Sequence, residues 1–331
     1  MSLVSRKRHK CRATENKLVY GKSSIFFCGI NCVPSVNIFL DPAFQQDYHA
    51  PMNEPLSNNP FLIDSLLHPL AGPIRNLLTR EGRRELNQIL IDDEENILQA
   101  LEAGLEIESV YFSGDEVISE TLRKKLTPGA TIHEVAKRTT KKLFENDKIS
   151  RIFGIAETPK PIGLEALKTI SKDVVVLDDI SISGNIGNII RTSLAFGIGG
   201  MILLNMDPLD IYDRRLIRAS RGYVFSLPIM TATTSQLIEY CKQNHQALLV
   251  TSASATQTVD EITSIPERLL IVFGSEKDGC SPEIEQAASL KVRIPINEKV
   301  ESLNVSAAAG VTLFNRIGFN HSPYVGKTPK E

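Results

Sequence analysis

A chain of 331 residues is about twice the length of one typical domain, so two domains are expected. It carries 37 Lys+Arg against 39 Asp+Glu, a net charge of −2, which excludes a uniformly basic nucleic-acid coat but leaves room for a local basic face. With no Trp and 6% aromatics, a stacking platform for single strands is disfavoured.

The charge is unevenly placed. Residues 1–51 hold seven basic and three acidic residues, net +4, leaving net −6 for the other 280. Three of the five cysteines (Cys11, Cys28, Cys32) also lie there, and no CxxC pair exists. No disulfide framework, zinc site or other metal centre is expected, and a reducing cytoplasm is the simplest location. No stretch of 18 apolar residues suggests a membrane span. Met52 opens a segment that reads like an ordinary start, so residues 1–51 are expected to be a disordered or non-native leader.

Residues 60–80 have a helical pattern broken at Pro69 and Pro73. Strands and helices then alternate. QILIDD (88–93), IESVYFSG (107–114), TIHEV (131–135) and SRIFGIAE (150–157) read as strands. ENILQALEAG (95–104), VISETLRKKL (117–126) and AKRTTKKLF (136–144) read as helices, the first ended by Gly104. TPKPIGLEAL (158–167) reads as a linker. Beyond it, DVVVLDD (173–179), GMILLN (200–205), ALLVTSA (247–253), RLLIVFG (268–274) and KVRIPI (291–296) are short apolar strands. Residues 184–197 read as a loop running into a helix, and helices are expected at 213–222 and 303–317. Such runs, separated by helices, predict a mostly parallel α/β sheet covered on both faces.

Four constellations could carry chemistry. Asn185-Ile-Gly-Asn-Ile-Ile-Arg191 opens a helix where glycine amides could face a phosphate, or where a plain N-cap precedes a surface Arg. Arg214, Arg218 and Arg221 have the spacing of one helix face, suited to phosphate contacts or to solvation. FGSEKDG (273–279) follows a buried strand, where open α/β sheets hold ligands. ESLNVS (301–306) places Ser302 and Asn304 either as helix caps or as pocket walls. A GxGxxG fingerprint is absent, which disfavours a dinucleotide site.

Taken in order, NxGxxxR, FGSEKxG and IPI…ESLNVSxAxG resemble the SpoU (TrmH-like) branch of the SPOUT RNA methyltransferases. DRRLIRASRGYVFSLP and the segment from about Ile89 to SRIFGIAETPKP bring the likeness to the thiostrepton-resistance rRNA methyltransferases, over roughly residues 60–318. The resemblance implies an L30e-like α/β RNA-binding domain at 52–160, a trefoil-knotted α/β SPOUT methyltransferase domain at 161–320, a tail at 321–331, and a homodimer. It implies S-adenosylmethionine as cofactor, and methyl transfer to the ribose 2′-hydroxyl of an adenosine in the GTPase-centre loop of 23S rRNA, conferring thiopeptide resistance. A 2′-O-methyltransferase of tRNA or of another rRNA site, or a non-catalytic ribosome-assembly factor, remains an alternative.

Carried over position by position, the resemblance makes Asn185, Arg191, Arg221, Glu276, Ser302 and Asn304 the expected catalytic set. Thr251, Gly274, Ser275, Glu276, Ile294, Pro295, Ile296, Leu303, Asn304, Val305, Ser306, Ala307 and Ala308 are expected to hold the cofactor. RNA contacts are expected from Arg83, Arg84, Lys137, Arg138, Lys141, Lys142, Arg214 and Arg218.

Overall fold

The computed structural model describes residues 61–317 apart from Asn146 and Glu276, with the backbone of a short antiparallel pair, β1 (Val19–Tyr20) and β2 (Ser23–Ser24). The other leader residues, Glu276 and the tail 321–331 lie outside the described residues, and so do the expectations that fall on them.

Two sheets follow in chain order, both within one contact unit, Leu56–Glu331. The first is five-stranded: β3 (Leu62–Ile63), β4 (Gln88–Asp92), β5 (Ile107–Ser113), β6 (Thr131–Val135) and β7 (Ile152–Glu157), in the order β3-β6-β5-β7-β4. β3, β6 and β5 run parallel, and β7 runs antiparallel to both β5 and β4. Its helices are α1 (Ala71–Asn76), α2 (Arg80–Leu86), α3 (Glu94–Glu102), α4 (Glu120–Lys125) and α5 (Lys137–Leu143). The side chains of Thr79 and Ser119 cap α2 and α4 by accepting from Gly82 N and Leu122 N. α3 stops where Gly104 turns left-handed, at φ +87°.

The second sheet is seven-stranded and wholly parallel. Its strands are β8 (Val174–Leu177), β9 (Gly200–Leu204), β10 (Ile229–Ala232), β11 (Ala247–Thr251), β12 (Gln257–Thr258), β13 (Leu269–Phe273) and β14 (Leu290–Arg293). The order is β10-β9-β8-β13-β11-β14-β12. β8, β9 and β13 are buried along their whole length, as apolar runs covered on both faces must be. The helices are α6 (Ser183–Ala195), α7 (Arg214–Ala219), α8 (Thr234–Gln243), α9 (Pro282–Ala287) and α10 (Val305–Ile317). From β8 the chain moves outward through β9 and β10, then returns to build the other half, so β8 and β13 flank the switch in strand order. Ligands in open α/β sheets bind at such a switch, beyond the carboxyl ends of the strands.

The boundary expected near residue 160 falls between the sheets, since β7 ends at Glu157 and β8 begins at Val174. The segment between is not a bare tether. Ile162 bridges to Met230, and Leu164–Lys168 forms a 3-10 turn with Leu167 buried. One apolar cluster runs through both halves, joining Ile97, Ala100 and Leu122 to Ile189, Ile217 and Val224.

The arginine stripe is the main correction to the sequence reading. α7 ends at Ala219, so Arg221 is not on its face; Arg221 adopts a left-handed φ of +52°. Arg214 is 2% exposed. Its Nε lies 2.9 and 3.0 Å from the Asp92 carboxylate oxygens, Nη2 lies 2.7 Å from Oδ1, and Nη1 lies 3.0 Å from Asp147. Its guanidinium also sits 4.6 Å from the centroid of the Phe144 ring. Arg218 bonds the other oxygen of the same Asp92, which is 1% exposed. The donors expected to meet RNA phosphates therefore join α7 to β4 of the first sheet. Arg83 is also buried, at 1% exposure, with Nη2 3.4 Å from Asp213, so it too cannot reach an RNA surface. Arg84 is exposed and paired with Asp207 at 3.0 Å.

Candidate functional site

The first cavity, about 530 Å³, opens beyond the carboxyl ends of β11, β13 and β14. Three loops and the start of α10 form its walls. The loop after β13 folds back on itself: Ser275 N donates to Gly279 O at 2.9 Å, and Gly279 N returns to Ser275 O at 3.1 Å. A side chain at Gly274 would lie 2.1 Å from the Gly279 carbonyl carbon, and Gly279 has φ +71°, so both glycines are required by this turn. The expected Thr251, Gly274, Ser275, Ile294, Ile296, Ser302, Leu303, Val305 and Ala308 all line this cavity. Pro295 and Asn304 are not among its lining residues, and Ser306 and Ala307 face a second cavity.

That second cavity, about 690 Å³, is lined by Asn188, Arg191, Thr192, Leu194, Ala195, Tyr223, Ser306 and Ala307. α6 supplies its floor. The helix begins at Ser183, earlier than expected, so Asn185 and Arg191 both lie within it, about 120° apart around its axis. The glycines of GNIG therefore do not form an anion-binding turn. Gly187 is instead a packing residue: a side chain there would lie 2.5 Å from Ala219 at the end of α7. Asn188, Arg191, Thr192 and Ala195 share one helix face, a set that i, i+3, i+4, i+7 spacing reveals once the helix start is known.

Asn304 lies in the segment that supplies both cavities, Leu303 to the first and Ser306 to the second. Its Nδ2 donates to Asn185 Oδ1 at 3.1 Å, and its Oδ1 accepts from Ser306 N at 2.9 Å. It thus caps α10 and also joins the two motifs, while lining neither cavity itself. Arg191 and Arg221 are exposed, Arg191 at the second cavity. Of the remaining basic candidates, Lys137 is 2.7 Å from Asp115, while Arg138, Lys141 and Lys142 are exposed on α5. The Lys137 ammonium, helped by the Ser113 hydroxyl, lowers the Asp115 carboxyl to about 2.

Asp178, not picked out from the sequence, secures the first cavity from behind. Buried at the end of β8, its Oδ2 accepts from Ser281 N at 2.7 Å and Ser281 Oγ at 2.8 Å, holding the start of α9. The doubled Asp ending a buried strand was the available signal. Beside it, Cys280 lines the cavity, but burial, with Asp178 and Glu285 adding to it, raises its thiol to about 12. Burial raises Cys241 to about 11. Both thiols stay protonated at neutral pH and are poor nucleophiles. In the folded protein at pH 8, iodoacetamide should label them slowly, with rapid labelling on unfolding in urea; mass spectrometry reads the difference.

Among the described residues, no group of three or more His, Cys, Asp and Glu could hold a metal, and no helix is long and apolar enough to cross a membrane.

Two family models match adjoining stretches of the chain: the N terminus of thiostrepton-resistance methylase over residues 60–170 and the SpoU rRNA Methylase family over 172–314. The 23S rRNA (adenosine(1067)-2′-O)-methyltransferase of Streptomyces azureus is 36% identical over 261 residues, 78% of this chain and 97% of that protein. Its counterpart in Streptomyces laurentii is 38% identical over 251 residues, 74% of this chain and 91% of that protein. Among solved structures, the AdoMet-bound rRNA methyltransferase from Sinorhizobium meliloti superposes with a TM-score of 0.65 at 26% identity, covering 77% of this chain and 97% of that one. Likeness at this identity over about three quarters of the chain, with the family's motifs gathered around two cavities, makes the chain a member of the SpoU rRNA methylase family.

Proposed function

We propose that this protein transfers a methyl group from S-adenosylmethionine to a ribose 2′-hydroxyl, that of an adenosine in the GTPase-centre loop of 23S rRNA, and so confers thiostrepton-type resistance. The observation that carries this reading is the Asn185–Asn304 hydrogen bond, which joins the α6 motif that supplies Arg191 to one cavity and the α10 motif whose Leu303 lines a cofactor-sized one. The matching Streptomyces enzymes and the thiostrepton-resistance model over residues 60–170 favour rRNA over tRNA.

The first cavity suits the cofactor chemically. Ile294, Ile296 and Leu303 offer apolar surface for an adenine, and the turn at Gly274–Gly279 brings backbone close to a ligand. Asp278, Glu285 and Glu301 outnumber the one cation, Lys277, among its described lining residues, which favours a positively charged ligand. When bound, the cofactor supplies an electrophilic methyl on a sulfonium. Arg191 holds the ribose hydroxyl and offsets the negative charge that develops on its oxygen. Asn185, fixed by Asn304, helps orient the same group, with Ser302 and Glu276 as further polar members and Arg221 on the adjacent phosphate. A guanidinium keeps its proton, so the hydroxyl proton leaves to a phosphate or to water.

The remaining readings complete this picture. The first sheet with its helices, to about residue 160, acts as an L30e-like RNA-binding domain, and the rest as a trefoil-knotted methyltransferase domain. The protein works as a homodimer in the cytoplasm, where its RNA substrate is. Val311 and Phe314, three apart on α10 and exposed, give an apolar face for a second copy.

RNA affinity is assigned to α5. Lys141→Glu with Lys142→Glu should weaken binding of a GTPase-centre fragment and flatten its salt dependence by up to about 0.7–0.9 in log–log slope per lost phosphate contact. Filter binding across a salt series checks this. The function itself is tested by offering labelled S-adenosylmethionine with that fragment or with total tRNA. Methylation of the fragment alone supports the reading; methylation of tRNA alone moves the substrate, and transfer to neither removes the activity.

A further inference from the structure

Tyr223 has no part in the roles assigned so far, yet its ring reaches the cavity that holds Arg191. It is 37% exposed, and among the described residues it stacks on no other ring. Tyr111 and Tyr212, by contrast, are both stacked on neighbouring rings. An aromatic face open to a cavity is a surface for a flat ligand.

The backbone that carries the ring is tightly held. It follows two left-handed residues, Arg221 at φ +52° and Gly222 at φ +76°. Gly222 N donates to Ile217 O at 2.9 Å, and Tyr223 N to Ser220 O at 3.2 Å. Gly222 presses directly on the first half of the chain: a side chain there would lie 2.7 Å from Gln99 Cβ and 3.1 Å from Asn96 Cα, both on α3. α7, which leads into this turn, is tied to Asp92 through Arg214 and Arg218. Asn96 Nδ2 in turn donates to the Asp92 carbonyl at 2.6 Å. The residues that fix Tyr223 therefore come from both halves, and those gripping Gly222 and α7 from outside, Asn96, Gln99 and Asp92, belong to the half assigned to RNA binding.

We infer that Tyr223 receives the base of the nucleotide being methylated, stacking on it while Arg191 meets the ribose of the same nucleotide. This rests on the RNA methyltransferase reading above. Bases in folded RNA are read when splayed out onto aromatic side chains, and stacking tolerates any base, so Tyr223 supplies grip while other contacts supply choice. The N-terminal half then contributes more than affinity. By gripping Gly222 it sets where the target base can lie.

Because the chain contains no Trp, Tyr223→Trp introduces a single fluorescent reporter at this position. It is titrated with a GTPase-centre RNA fragment and with the same fragment made abasic at the methylated position. Quenching by the first and none by the second is expected. In parallel, Tyr223→Ala should raise KM for RNA by roughly 10- to 100-fold with unchanged cofactor affinity, and Tyr223→Phe should restore it to within about threefold. Equal fluorescence responses to the two RNAs, or a Tyr223→Ala KM within about twofold of wild type, overturns the assignment. So does a Trp signal that follows protein dilution and ignores RNA, which would make this face a contact between copies. Wild-type turnover on the intact fragment reports the functional reading separately: a fragment that is methylated while Tyr223→Ala behaves as wild type leaves that reading standing and removes only Tyr223.

Discussion

Arg191→Ala is expected to reduce methyl transfer by about 100- to 1,000-fold or more while leaving cofactor affinity unchanged. The separation follows from position. Arg191 lines the cavity on the α6 side, whereas the cofactor-sized cavity is built from the β11, β13 and β14 loops and the start of α10. An exposed arginine on a helix interior can be truncated without disturbing the fold, because its stem packs little and α6 is anchored by Ile186, Ile189 and Ile190 on its buried side. What is lost is a fixed positive fork at the developing alkoxide. Arg191→Lys should recover part of the rate, since it keeps charge and loses bidentate geometry. Tritium transfer gives the rate and calorimetry the affinity. If Arg191→Ala turned over near the wild-type rate, Arg191 would have no place in the chemistry.

Asp92→Asn should lower stability by about 3–5 kcal/mol, the cost of leaving a buried arginine with only the partly exposed Asp147 as counter-charge. Asp92 and Arg214 have side chains 1% and 3% exposed, with three hydrogen bonds between them, and Arg218 shares the same carboxylate. Arg214→Met alone should also destabilise, because Asp92 would then keep only Arg218. Replacing the pair with apolar residues, Asp92→Leu with Arg214→Met, should recover much of the loss. Urea titrations followed by circular dichroism give the midpoints. Equal midpoints for wild type and Asp92→Asn would mean the pair holds nothing together.

Most of the fold could be read along the chain because its strands are short apolar runs bounded by turns. TIHEV was placed to the residue, and RLLIVFG and DVVVLDD to within a residue or two at each end. β10, α8 and α9 were not anticipated. Ile229–Ala232 is four residues with a polar Thr231, and α8 buries Leu237 alone among its residues. The capping box of Thr233 and Gln236 was the readable sign of α8.

The candidate site was legible for a different reason. The loops of the first cavity follow strands, so FGSEKDG, after the buried β13, and the IPI…ESLNVS segment, after β14, announce themselves by what precedes them. The arginines of α7 could not be resolved this way. A stripe of Arg on a short helix looks the same whether it meets water, phosphate or a buried carboxylate, and here the deciding partner, Asp92, is 122 residues away. Tyr223 is legible only in space, because nothing in SRGYVF marks the ring as the wall of a cavity shared with α6 and α10.

The central claim is that Arg191 and its neighbours direct a methyl group to one ribose of one RNA. Mapping 2′-O-methylation across 23S rRNA, from cells with and without this protein, tests it most directly. One new methylated adenosine in the GTPase-centre loop, present with the wild type and missing with Arg191→Ala, is the predicted result. No new mark anywhere, or the same mark with Arg191→Ala, would contradict it.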